Sequence, residues 1–78
     1  MYNAKQLDAF TTIIKKDFGF NNVEFDKEID GDFYFYCYDL QGKRDRIRIK
    51  SQMGTVFTFF QGQWKQVKGY KIECSDLF

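Results

Sequence analysis

Arg44, Arg46, Arg48 and Lys50 occupy every second position of the segment RDRIRIK. Alternate residues of a β-strand share one face, so this spacing sets four cations in a row. Just upstream, Tyr34, Tyr36 and Tyr38 repeat the same spacing. A sheet carrying both rows side by side offers rings for base stacking and cations for phosphate, the chemistry of single-stranded nucleic-acid binding. Protein interfaces favour the same residue types, because Tyr and Arg join contact area to directed hydrogen bonds. A third account is purely structural: Tyr is a good strand residue, and Arg lays its aliphatic stem over a ring while its head stays wet.

Catalytic chemistry has little to draw on. Histidine is absent, which removes the commonest general base and metal ligand together. The two cysteines, Cys37 and Cys74, stand far apart with no second pair, so the spacing of a zinc site is missing. Neither GxxxxGK[ST] nor GxGxxG occurs, so no phosphate-cradling loop is expected. The stretch EIDGDF alternates acids, yet it lacks the full calcium-loop pattern with its terminal Glu and reads better as a turn. Carboxylates such as Glu24 and Asp26 fall on an open strand rather than in a pocket. The expectation is a non-enzyme with no cofactor and no metal.

Two kinds of element must position the rows. Residues 3–19 have the marks of a helix: Asn3 suits the N-cap, Gln6 can complete a capping box, and Tyr2 and Leu7 sit at staple positions. Leu7, Phe10, Ile13, Ile14 and Phe18 then recur at helical spacing as one apolar stripe. Lys15 and Lys16 in the last turn oppose the helix dipole, and Gly19 provides a left-handed exit. Beyond residue 20 the period becomes two, which predicts strands at 23–27, 33–38, 44–50 and 55–60, with weaker ones near 64–68 and 70–74.

The turns EIDG, DLQG and SQMG each end in glycine and suit a type I turn closed by a G1 bulge, while FQGQ marks a further turn. That geometry predicts a register. Around DLQG, Phe35 faces Ile47 and Phe33 faces Ile49, while Tyr34 meets Arg48, Tyr36 meets Arg46 and Tyr38 meets Arg44. Around EIDG, Val23 meets Cys37, Phe25 meets Phe35, Glu24 lies beside Tyr36 and Asp26 beside Tyr34. Around SQMG, Ile49 meets Phe57 and Ile47 meets Phe59. The buried face is then Val23, Phe25, Phe33, Phe35, Cys37, Ile47, Ile49, Phe57 and Phe59. The expected fold is α+β: one N-terminal amphipathic helix on one face of a four- to six-stranded antiparallel meander, with a sheet curled into a small partial barrel as the alternative.

The chain has 78 residues, enough for one small domain, and its core must come from few residues. Ten Phe, five Tyr and one Trp supply it, since each buried ring removes about 150–250 Å² from water. Twelve basic against eleven acidic side chains leave a net charge of +1, without the basic excess of a duplex-DNA binder. No secretory leader and no membrane-spanning run is read, so the expected home is a reducing cytoplasm, where a Cys37–Cys74 bridge is disfavoured.

On the face away from the helix, the predicted register lines up Glu24, Tyr36, Arg46 and Phe60, with Asp26, Tyr34, Arg48 and Thr58 alongside. Tyr38 with Arg44, and Val56 with Lys50, extend it. Glu24, Asp26 and Glu28 flank the tyrosines and oppose phosphate, and no RNP-type motif is present. The expectation is therefore a protein-binding module using Tyr34, Tyr36, Arg46, Arg48 and Phe60, in the manner of an accessory or inhibitor protein of a bacterium, phage or mobile element. Its partner is an unidentified protein or a second copy of the chain. The alternative is a single-stranded nucleic-acid binder using Tyr34, Tyr36, Tyr38, Arg44, Arg46, Arg48 and Lys50. Trp64 reads either as a core residue or as an outward anchor. Lys65, Lys68 and Lys71 read as the solvated guard of an edge strand, and Leu77 and Phe78 as apolar residues that dock on core or partner.

Overall fold

A computed structural model describes residues 4–72. Helix α1 (Ala4–Phe18) is followed by strands β1 (Asn22–Ile29), β2 (Asp32–Tyr38), β3 (Arg44–Lys50), β4 (Thr55–Phe60) and β5 (Gln63–Gln66). The five strands form one open antiparallel sheet in sequence order, and α1 packs on one side of it. This is the expected α+β meander, and the sheet does not close into a barrel. Tyr2 and Asn3 at the helix start, and Cys74, Leu77 and Phe78 at the other end, lie outside the described residues.

The apolar stripe of α1 enters the core as its spacing requires. Phe10 and Ile14 are buried, and Leu7, Ile13 and Phe18 pack around them. Phe10 meets Phe33 and Phe35 edge to face at 5.0 and 6.4 Å between ring centres, an arrangement that adds roughly 0.5–1.5 kcal/mol per pair beyond area burial. Gly19 ends the helix in the left-handed region, its N–H bonded to the Lys15 carbonyl at 3.1 Å.

The β2–β3 hairpin has the predicted register at every pair, from Phe33 opposite Ile49 to Tyr38 opposite Arg44. Its turn is closed by bonds from Gly42 N to Asp39 O and from Asp39 N to Lys43 O. The Asp39 carboxylate adds two more, accepting from the N–H groups of Gln41 and Lys43 at 2.9 Å.

The first hairpin differs in its turn. Asp30 and Gly31 both have positive φ, 51° and 86°, and Ile29 pairs with Asp32. This is the two-residue turn whose twist matches that of the strands, in place of the predicted three-residue loop. The chain recovers the missing residue with a β-bulge between Phe25 and Lys27. Val23 opposite Cys37, Glu24 opposite Tyr36 and Phe25 opposite Phe35 are consequently as predicted, but Lys27 rather than Asp26 stands opposite Tyr34.

The third hairpin overturns a larger expectation. Its loop holds four residues, Ser51 to Gly54, and Lys50 pairs with Thr55. The loop closes on the Lys50 carbonyl, which accepts from the N–H groups of Met53 and Gly54 at 3.1 and 2.8 Å, while Ser51 donates its N–H and hydroxyl to the Gly31 carbonyl at 3.0 and 2.8 Å. Lys50, not Ser51, pairs with Thr55. Ile49 therefore faces Val56 and Ile47 faces Thr58. A slip of one residue exchanges the two faces of a strand. Val56 is buried beside Ile47 and Ile49, whereas Phe57 and Phe59 stand on the opposite side.

Past β4, Gln61 and Gly62 form another two-residue turn with positive φ at both positions. β5 is shorter than the predicted strand at 64–68, and residues 70–72 are not in a strand. They act as a strap instead. Val67 N bonds Val56 O and Ile72 N bonds Gly54 O, both at 2.8 Å, while Ile72 fills the core. Tyr70 packs on Phe18 at 5.1 Å, and its hydroxyl donates to the Asp17 carboxylate at the end of α1.

Candidate functional site: an arginine-centred aromatic face

Because α1 covers one side of the sheet, alternate residues of β1–β5 are left on the other. β2 contributes Tyr34, Tyr36 and Tyr38, and β3 contributes Arg44, Arg46, Arg48 and Lys50, side by side as predicted. The phase of β4 adds Phe57 and Phe59, and β5 adds Trp64, which pairs with Phe59. These last three were missed as a group. The only signal for them was the unresolved choice for Trp64, since TVFTFF is apolar in either phase.

In a flat sheet Tyr34 and Trp64 would stand three strand spacings apart, about 14 Å. Their rings instead meet at 5.7 Å, leaning inward over the arginines of β3. Trp64 also meets Phe59 at 5.1 Å. The result is a ring of aromatics with two guanidiniums inside it. Arg46 lies 5.2 Å from Tyr36, 5.6 Å from Phe59 and 5.2 Å from Trp64. Arg48 lies 5.5 Å from Tyr34, 5.6 Å from Phe57 and 6.0 Å from Trp64. Each such contact contributes roughly 0.5–1 kcal/mol at an exposed site and more as water is excluded.

The two arginines differ in what remains for them to bind. Nε and Nη2 of Arg48 both donate to Asp32 Oδ2, the first at 3.1 Å. Among the described residues Arg46 faces the Asp26 carboxylate alone, at 3.8 Å, too far for a hydrogen bond. Among the described residues no group accepts a hydrogen bond from Arg46, and 29% of its side chain is exposed. Asp26 sits at the bulge in β1, out of register with Tyr34.

The periphery is more open. The Arg44 guanidinium lies 4.9 Å from the Tyr36 ring, on an exposed residue. Lys27 lies 5.2 Å from Tyr34 and Lys50 6.0 Å from Phe57. The Tyr38 hydroxyl donates to Glu24 at 3.1 Å. Three carboxylates, Glu24, Asp26 and Asp32, therefore meet five cations across this face.

Phe60 does not join it. By strand alternation it lies on the helix side with Val56, where it is 56% exposed beneath Lys65 Nζ at 5.5 Å. Val56 and Thr58 leave the predicted face for the same reason. An open groove of about 740 Å³ lies at the end of the sheet, lined by Gln6, Glu28, Ile29 and Gln52 among others. Among the described residues no three His, Cys, Asp or Glu side chains converge as metal ligands, and no helix is long and apolar enough to cross a membrane. Comparison with family models, with curated proteins and with solved structures produced no match.

Proposed function

We propose that this chain is a non-enzymatic protein-binding module that covers a surface of another protein with the sheet face opposite α1. The observation that carries this reading is the ring cluster of Tyr34, Tyr36, Phe57, Phe59 and Trp64 around Arg46 and Arg48. Trp, Tyr and Arg dominate binding energy at protein interfaces because they combine large, stiff contact area with directed donors. Here neighbouring rings already limit the motion of these side chains, so little rotamer entropy remains to be lost on association. Tyr34, Tyr36, Arg46 and Arg48 keep the role expected of them, and Trp64 and Phe59 replace Phe60. The small size and aromatic richness fit an accessory or inhibitor protein of a bacterium, phage or mobile element, acting in the cytoplasm.

The excess of cations over carboxylates on the face favours a second reading, a single-stranded nucleic-acid binder using Tyr34, Tyr36, Tyr38, Arg44, Arg46, Arg48 and Lys50. Two features count against it. Arg48 is already held by Asp32, and the Tyr34 ring has Trp64 leaning on it rather than an open face.

The test is capture of partners from native extract by the purified domain, with and without nuclease, alongside a Trp64→Ala variant. A discrete protein that survives nuclease and is lost with Trp64→Ala supports the protein-binding module. Retained RNA or DNA, with affinity falling steeply as salt rises, supports the phosphate grip instead.

A further inference from the structure

The unequal satisfaction of the two arginines identifies the chemistry of the contact. This step rests on the protein-binding reading above. We propose that Arg46 is the anchor for a carboxylate, an Asp or Glu side chain on an extended segment of the partner protein, seated among Tyr36, Phe59 and Trp64.

Arg46 carries a planar fork of five donors, and among the described residues that fork has a loose ion pair with Asp26 and no hydrogen bond. Three rings within 5.2–5.6 Å restrict its position, yet its nearest carboxylate oxygen is 3.8 Å away. Arg48 shows what the same side chain looks like when its fork is occupied from within, by Asp32. A guanidinium that is pre-positioned, partly desolvated and short of acceptors favours a planar acceptor that can take two donors at once, which a carboxylate does.

The surroundings favour an acid as well. Arg44 lies against the same Tyr36 ring, so two guanidiniums flank one tyrosine. The carboxylates that oppose them are Glu24, which accepts from the Tyr38 hydroxyl, and Asp26, which holds Arg46 only loosely. With Lys27 and Lys50 further out, cations outnumber acids across the face by five to three. Complementary charge of this kind chiefly sets which partner is accepted and how fast it arrives. The rings supply the contact area around the anchor. An acidic side chain flanked by apolar ones matches that layout.

The labelled protein is titrated with a capped alternating Glu-Val peptide, with its Gln-Val counterpart and with oligothymidylate, following the arginine Nε–H and tryptophan indole resonances. The expected result is a shift of Arg46 and Trp64 with Glu-Val, little change at Arg48, and none of these shifts with Gln-Val. Arg46→Lys, which keeps charge and stem but loses the fork, is expected to weaken the Glu-Val peptide about tenfold. No shift at Arg46, equal shifts with both peptides, or tighter binding of oligothymidylate overturns the proposal. The captured partner separates this inference from the reading beneath it. A partner lost with Trp64→Ala but retained by Arg46→Gln keeps the protein-binding face and removes the carboxylate anchor. A partner retained by both variants removes both.

Discussion

At the scale of single residues, Arg46 and Arg48 share a strand, a face and a set of rings, but the fold depends on them unequally. Removing Arg48 strands Asp32, whose side chain is four-fifths buried. An acceptor left without its charged donor costs roughly 1–3 kcal/mol. Arg48→Met is accordingly expected to lower stability by about 2 kcal/mol, or about 8–16 °C in Tm for a domain of this size. Arg46→Met gives up as many ring contacts and the loose Asp26 pair but strands no hydrogen-bonded acceptor, so it is expected to cost less than Arg48→Met. Thermal denaturation of the two variants side by side checks the order. Cys37 provides a second residue-level expectation. Burial, and then the nearby Asp45 carboxylate, push its thiol up to about 12. The folded chain holds this proton more tightly than the unfolded chain, so raising the pH beyond the ordinary thiol value of 9.0 favours unfolding. In a Cys74→Ser variant, Cys37 is expected to resist maleimide in buffer near neutral pH and to react promptly in denaturant.

At the scale of elements, the turns carry the decisions. Gly42 and Gly54 both have positive φ, at 81° and 73°, so alanine is strained at either. Their surroundings separate them. A Cβ at position 42 meets nothing, while one at position 54 falls 2.6 Å from the Ile72 carbonyl oxygen, which is backbone and cannot swing aside. Gly42→Ala is expected to cost about 1 kcal/mol, and Gly54→Ala about 2–4 kcal/mol because the strap must also shift. Equilibrium unfolding in urea measures both. Equal costs would mean that the strap's approach to Gly54 does not constrain the turn. The bulge in β1 has the opposite role: it absorbs the length of a tighter turn and hands back the same pairing beyond Phe25.

At the scale of the whole molecule, a small core is completed from both ends of the described chain. α1 closes one side of the sheet, and the strap at 67–72 brings Ile72 into the same apolar cluster as Phe10, Ile14 and Phe35. Deleting three side-chain carbons from a fully packed site typically costs about 2–5 kcal/mol. Ile72→Ala is thus expected to remove a large part of the stability of a 78-residue domain while leaving the ring cluster on the far face unaltered in composition. Loss of cooperative unfolding in that variant, with α1 retained by circular dichroism, would show that the strap rather than the helix makes the core continuous.

The sequence by itself determined the helix, the existence and order of the first four strands, and the central pairing that sets tyrosines beside arginines. Each rests on local physics: a 3.6-residue apolar stripe, a two-residue alternation, and a DLQG turn whose own hydrogen bonds set its length. Two of the other three hairpins have turns of lengths that the glycine pattern did not reveal, two residues at Asp30–Gly31 and four at Ser51–Gly54. A β3–β4 loop closed on the Lys50 carbonyl, one residue longer than expected, turned Phe57 and Phe59 from expected core into the rim around the arginines. In TVFTFF either phase is apolar, so periodicity carried no preference, and the length of the loop before it decided the phase. Trp64 joined the face through the Gln61–Gly62 turn, whereas Asp26 was expected there and changed only its register. The tertiary structure alone decided which arginine is hydrogen-bonded within the fold, because that choice turns on a carboxylate sixteen residues away in sequence.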